Sequence, residues 1–162
     1  VVASGVEPGE YARHVDTVSF CFSKGLGAPV GSIVAGDAAA VDRAHRYRKM
    51  LGGGMRQAGV LAAAAMYALD RHVSRLREDH ERARRFREAL SGRYAFPMPS
   101  PTNIVYIDVA DARAMAERLA ERGVLVLATK PTRLRMVFHL DIDDGALSGA
   151  IAAFEALADR AV

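Results

Sequence analysis

The sequence predicts an α/β domain followed by a small α+β domain, and three observations carry that expectation. Val18, Phe20 and Phe22 alternate with Ser19, Cys21 and Ser23, a period of two that belongs to a strand. Between residues 38 and 90, apolar side chains recur at three- and four-residue steps, which is the spacing of helices with one buried face. Three prolines in "FPMPSPT", 96–102, break helix and strand alike, and beyond them the pattern reads strand, helix, strand, strand, helix. The domain boundary is therefore expected at 95/96, dividing the chain into 1–95 and 96–162.

The elements follow in order. "GSIVAGD" is a second short β-branched run, so two strands flank the glycine-rich stretch 24–31. Asp37 stands where an N-cap belongs, ahead of a helix over 38 to about 51 that Gly52, Gly53 and Gly54 end. One long helix is expected next. Its stripe comprises Met66, Leu69, Val73, Leu76, Ala83, Phe86 and Leu90 with His80 inside it, and its first part, 60–69, is apolar on all sides and expected to be fully buried. Past the prolines, "NIVYIDV" reads as a strand and "DARAMAERLAERG" as a capped amphipathic helix closed by Gly123. "VLVLAT" and "LRMVFHL" read as strands and 143–161 as a final helix, a βαββα unit with helices over one face of a sheet.

Composition excludes several classes of function. The chain has 162 residues, enough to bury a core without staples, and its single cysteine, Cys21, rules out an internal disulfide framework. A reducing compartment suits that usage, and the expected location is cytoplasmic. The longest apolar run, 58–69, falls well short of the roughly 20 residues of a membrane span, so no membrane partner is expected. Net charge is +3, but "RHVSRLREDHERARRFRE", 71–88, concentrates arginines. Glu78, Asp79, Glu81 and Glu88 are interleaved at helical distances, which points to a solvated face laced with ion pairs rather than to a nucleic-acid surface. Cys21 lies mid-strand among apolar neighbours and reads as a small packing residue. No spacing of His, Cys, Asp and Glu suggests a metal site, and "GLGAPVGS" lacks the lysine-serine ending of a nucleotide-binding loop. His139 follows a strand, while His72 and His80 sit on the long helix and suggest no function.

Lys24 is the position where chemistry is expected. Burying an unpaired ammonium is costly, and a buried lysine responds by shifting toward the neutral amine, which is a nucleophile. Lys24 ends a strand of apolar and small residues, where open α/β sheets place their ligands, and the glycines at 25, 27 and 31 let the backbone pass close to one. An ordinary turn lysine fits the spacing equally well.

Five segments in order, "SFCFSKGLGAPVGSIVAG", "RKMLGGGMRQAGVLAAAAMYAL", "LREDHERA", "NIVYIDV" and "LRMVFH", resemble the low-specificity L-threonine aldolases. These are pyridoxal 5'-phosphate enzymes of the aspartate-aminotransferase-like fold (fold type I). The resemblance implies that 1–95 is the C-terminal part of a cofactor-binding large domain with its long connecting helix, and 96–162 the small C-terminal α+β domain. Lys24 matches the lysine of the family's "SKG" motif, which carries the cofactor as an imine, and Arg135 matches the arginine that grips the substrate carboxylate. Lys49 and Arg56 match basic residues that the family presents from a neighbouring subunit, near the cofactor phosphate and substrate. A homodimer or homotetramer with a shared active site is implied. The implied reaction is carbon–carbon cleavage of L-threonine or L-allo-threonine to glycine and an aldehyde.

In that family the acid facing the pyridine nitrogen, the stacking histidine, the phosphate-cradling turn and the base for the β-hydroxyl lie upstream of the matched region. The opening "VVASGVEPGEY" has neither an initiator methionine nor a signal-peptide pattern, and its "ASGV" resembles the segment just after the family's "DGAR" strand. The chain is therefore expected to be a C-terminal half, inactive by itself. Other members of the broad class, such as a β-eliminating lyase or a phenylserine-type aldolase, and a non-catalytic binding module, remain as alternatives.

Overall fold

A computed structural model describes residues 1–158. Two compact units make up the chain, the first Val1–Leu76 and the second beginning at Arg77.

The first unit opens with a short helix, α1 (Pro8–Ala12), and a hairpin of β1 (Thr17–Cys21) and β2 (Ser32–Gly36). The strands pair antiparallel from Thr17↔Gly36 to Cys21↔Ser32. The period-two pattern thus identified the strands, but the buried face expected for β1 is not there: Phe20, Ile33 and Val34 are all exposed. Alternation records which side of a strand is apolar; burial needs a second layer, and the apolar cluster of this unit lies under the loop instead. It consists of Phe22, Leu26 and Ala28 against Ala65 and Ala68, with Val73 and Leu76 packed on it.

Helix α2 (Ala38–Met50) starts as expected, with the Asp37 carboxylate accepting a hydrogen bond from the Ala40 N–H at 2.7 Å. The long helix that follows is corrected by the structure. It is two helices, α3 (Gly59–His72) and α4 (Leu76–Leu90), separated by a turn at 73–75. Val73 and Ser74 are both weak helix formers, and the Leu76 N–H turns to the Val73 carbonyl at 3.3 Å. The expected full burial of 60–69 is corrected too. Only Ala65 and Ala68 of α3 are buried, while Val60 is 79% and Met66 65% exposed.

The second unit contains α4, β3 (Ile104–Asp108), α5 (Ala112–Ala120), β4 (Leu127–Lys130), β5 (Arg133–Val137) and α6 (Asp144–Ala158). This is the βαββα order read from the sequence, preceded by α4. Its sheet runs β3-β5-β4 with antiparallel neighbours. The division by compactness falls earlier than the 95/96 boundary marked by the prolines, because Ala83, Phe86 and Leu90 of α4 are buried in the second unit's core. Strand β4 starts at Leu127 rather than Val124, for a local reason. Gly123 is in the left-handed region at φ 76°, and its N–H bonds to Ala120 while the Val124 N–H bonds to Leu119. That pair of bonds is a Schellman closure of α5, and it takes the Val124 donor away from the sheet. The expected last residues of the final helix, 159–161, lie outside the described residues.

Val105 and Ile107 of β3 and Leu134 and Met136 of β5 point into one core with Met115 and Leu119 of α5 and Leu147, Phe154 and Leu157 of α6. The Phe86 ring meets Phe138 and Phe154 at centroid distances of 5.5 and 5.2 Å. Because strand side chains alternate, filling this face with apolar residues commits Tyr106, Asp108, Arg133 and Arg135 to the other.

Candidate functional site

Lys24 follows β1 in a loop that closes on itself. The Phe22 N–H bonds to the Gly31 carbonyl at 2.9 Å, Ala28 N–H to Phe22 at 3.0 Å and Gly27 N–H to Lys24 at 2.8 Å. Leu26 and Ala28 are buried below the loop. Gly25 passes so close to Leu76, the last residue of the first unit, that an added Cβ would lie 2.9 Å from Leu76 Cδ2. The backbone around Lys24 is thus held by packing as well as by hydrogen bonds. The side chain itself is exposed, which corrects the expectation of a lysine at the end of a buried strand. Its environment is a braced loop with an accessible amine.

Lys49 and Arg56 flank the triple glycine, both exposed. At the end of α2, the Gly52 N–H bonds to Lys49 at 3.1 Å and Gly53 N–H to Arg48 at 2.8 Å, with Gly52 at φ 89°. This is again a Schellman motif, and it explains why two successive glycines are needed. Gly52 adopts a conformation that side chains resist, and a Cβ on Gly53 would lie 2.7 Å from Arg48 Cγ and 2.9 Å from its carbonyl oxygen. The Lys49 ammonium folds back over the turn, 3.1 Å from the position a Cβ would take on Gly54. Helix α3 then begins at Gly59 with no side-chain cap, leaving first-turn N–H groups free to attract an anion.

Arg135 occupies the middle strand of the second unit's sheet. Cross-strand from it stand Tyr106 on β3 and Leu127 on β4. Two residues away, Arg133 is occupied: its Nε and Nη2 donate to both carboxylate oxygens of Asp108 at 2.7 and 3.0 Å. Those hydrogen bonds, aided by the charge of the guanidinium, hold the Asp108 carboxyl below its usual range. Arg135 has no such partner among the described residues and stays half-buried, its fork available to an external carboxylate.

Lys24, Lys49 and Arg56 therefore belong to the first unit and Arg135 to the second, and no hydrogen bond or ion pair joins any two of the four among the described residues. One residue the sequence passed over does engage the Lys24 loop. His72 Nδ1 lies 2.6 Å from the Leu26 carbonyl, 46 residues earlier in the chain. Nothing in the local helical pattern marks it, since the contact is made only when α3 is laid against the loop.

The arginine-rich stretch carries ion pairs, although Asp79, which its spacing places on the solvated face, is buried. Arg84 pairs with Glu81 and Glu88, Arg82 with Glu78 and Asp144, and Arg85 with Asp144. The His139 ring lies beside Asp141, whose N–H donates to its Nδ1 at 3.4 Å. Among the described residues no group of three His, Cys, Asp or Glu side chains could hold a metal ion, and no helix is long and apolar enough to cross a membrane.

Residues 1–112 match the model of the β-eliminating lyase family. The chain belongs to that family. It is 43% identical to a low-specificity L-threonine aldolase of Escherichia coli K12 over 162 residues, 99% of this chain and 48% of the relative. It is 40% identical to a probable low-specificity L-threonine aldolase 2 of Arabidopsis thaliana, over 95% of this chain and 46% of the relative. The chain thus spans about half the length of the curated relatives it matches. Among solved structures, a Leishmania major threonine aldolase superposes with a TM-score of 0.77 at 14% identity, over 94% of this chain and 46% of the other. A Sphingomonas wittichii serine palmitoyltransferase gives 0.74 at 21% identity, over 94% and 41%. At such identities the likeness concerns the fold, and it is the fold type I architecture that the sequence resemblance implied.

Proposed function

We propose that this lyase-family chain serves a pyridoxal-phosphate-dependent aldolase that cleaves L-threonine, L-allo-threonine and related β-hydroxy-α-amino acids to glycine and an aldehyde. The observation that carries the reading is Lys24: an accessible primary amine on a loop whose backbone is fixed by three hydrogen bonds and a buried underside.

The donor set fits the cofactor. Pyridoxal phosphate presents an aldehyde and a phosphate, and the chain presents one braced amine and two exposed cations at a glycine turn beside an uncapped helix start. Lys24 would hold the aldehyde carbon, and Lys49 and Arg56 would meet the phosphate or substrate from a neighbouring copy in a homodimer or homotetramer. When bound, the cofactor supplies the electron sink for bond cleavage at the substrate Cα. Arg135 supplies orientation. A guanidinium fork that meets both carboxylate oxygens restricts rotation about the substrate Cα–N bond and so decides which Cα bond is presented for cleavage. The Arg133–Asp108 pair beside it keeps the neighbouring cation neutralised, so that the carboxylate finds one free fork rather than two.

Treatment of the whole protein with pyridoxal phosphate followed by borohydride tests the assignment, because peptide mass spectrometry separates Lys24, Lys49 and Lys130. A band near 420 nm, about where such imines absorb generally, and a reduced adduct concentrated on Lys24 are expected. An adduct spread evenly over the three, or one that Lys24→Ala leaves unchanged in amount, rules the assignment out. The family's own description favours β-elimination as a second reading. Products of the whole protein separate them: aldehyde and glycine for the aldol cleavage, ammonia and a keto acid for elimination.

A further inference from the structure

We propose that His72 is a positioning residue for Lys24, acting through a hydrogen bond from its Nδ1 to the carbonyl of Leu26. The proposal rests on the assignment of Lys24 given above. A carbonyl oxygen can only accept, so at 2.6 Å the Nδ1 of His72 must carry the proton. The ring is half-buried and stands edge-to-face with Tyr67 at a centroid distance of 5.5 Å. The bonded carbonyl is two residues beyond Lys24, and the peptide between them is confined by Gly25 against Leu76.

These contacts complete a set. The loop's internal bonds tie 22 to 31, 24 to 27 and 22 to 28, so they shape the loop without tying it to the rest of the unit. Leu26 and Ala28 attach it to α3 by apolar packing, which has no direction. The bond from His72 is directional and sets the height and rotation of the loop on α3. A catalytic amine displaced by about an ångström loses much of its advantage, so a device that fixes its backbone has functional value.

Three measurements test this on the full chain. In the unaltered protein, ring nitrogen-15 shifts should place the proton on Nδ1; a proton on Nε2 alone overturns the proposal. Amide hydrogen exchange at Phe22, Gly27 and Ala28 should accelerate about tenfold in His72→Leu, with the β1–β2 ladder amides unchanged. His72→Asn, whose side-chain N–H can occupy the Nδ1 position, should stay within about threefold of the unaltered rate. Loop protection that survives in His72→Leu, or an Asn variant no better than Leu, overturns the proposal. Reductive trapping with pyridoxal phosphate then reads the consequence. The ratio of Lys24 to Lys130 adduct should fall about tenfold in His72→Leu and recover in His72→Asn, and an unchanged ratio overturns the positioning role. If the whole unaltered protein forms no adduct at Lys24, the cofactor assignment fails, while the exchange and nitrogen-15 data still decide whether His72 anchors the loop.

Discussion

Replacing Gly53 by alanine should destabilise the first unit by about 1–2.6 kcal/mol, whereas the same change at Gly59 should stabilise it. At Gly53 the new methyl would lie 2.7 Å from Arg48 Cγ and 2.9 Å from the Arg48 carbonyl oxygen. The side chain can swing aside, because Arg48 is exposed. The carbonyl cannot, since it accepts the Gly53 N–H at 2.8 Å. Relieving the clash lengthens that bond, forfeiting about 1 kcal/mol, and strains the turn by roughly another 1–2 kcal/mol. Restricting the unfolded chain returns about 0.4–1 kcal/mol, leaving the net loss stated. At Gly59, the first residue of α3, nothing lies within 4 Å of the new methyl, so only the gain of about 0.4–1 kcal/mol remains. Urea unfolding followed through amide signals of α2 and the β1–β2 hairpin reports the first unit alone, and equal slopes in urea would license comparing midpoints. Shifts of the same sign in the two variants would refute the reasoning. Full recovery of Gly53→Ala by Arg48→Ala would show that the Cγ contact, rather than the carbonyl, sets the cost.

Other consequences concern the second unit. Phe86→Ala removes a ring that is 1% exposed and touches two other rings, and calorimetry should show a loss of about 3–5 kcal/mol. Asp108 and Asp144 both have carboxyls held below their ordinary value of 3.8, first by hydrogen bonds from Arg133 and Arg82 respectively. A depressed folded-state value means that the stabilisation is complete above the ordinary carboxylate range and is lost as pH falls through and below it, so Asp108→Asn should flatten acid unfolding curves at that end. Arg135→Lys in the whole protein should raise the amino-acid KM about tenfold, as a point charge replaces a fork, while leaving the Lys24 adduct unaltered. A weakened adduct would instead place Arg135 with the cofactor.

Local chemistry made much of this protein legible without coordinates. Asp37 and Asp111 cap their helices because a short carboxylate ahead of a helix can accept a free N–H, here from Ala40 and Ala114. Gly52 and Gly123 end theirs because the left-handed turn disfavours a Cβ. The element order of the second unit, strand, helix, strand, strand, helix, was readable from its periodicity, whereas the sheet order β3-β5-β4 was not. Lys24, Lys49, Arg56 and Arg135 could be singled out because motif resemblance is itself local in sequence.

What stayed hidden is whatever depends on which surface meets which. The apolar residues of α3 and the hairpin were visible, but periodicity names a face and not its cover, so Val60, Met66 and Phe20 turned out exposed. The interruption at 73–75 split one apparent stripe, so that Leu76 packs with the cluster under the lysine loop while Ala83, Phe86 and Leu90 fill the second unit's core. The bond from His72 to Leu26 spans 46 residues and leaves no local trace. By itself the sequence determined most of the strands and helices and their caps, and it singled out Lys24 as the candidate amine, all from neighbours within a few residues. Only the tertiary structure decided that this amine stands exposed on a loop braced by Leu76 and His72, because burial and orientation come from contacts between segments that are distant along the chain.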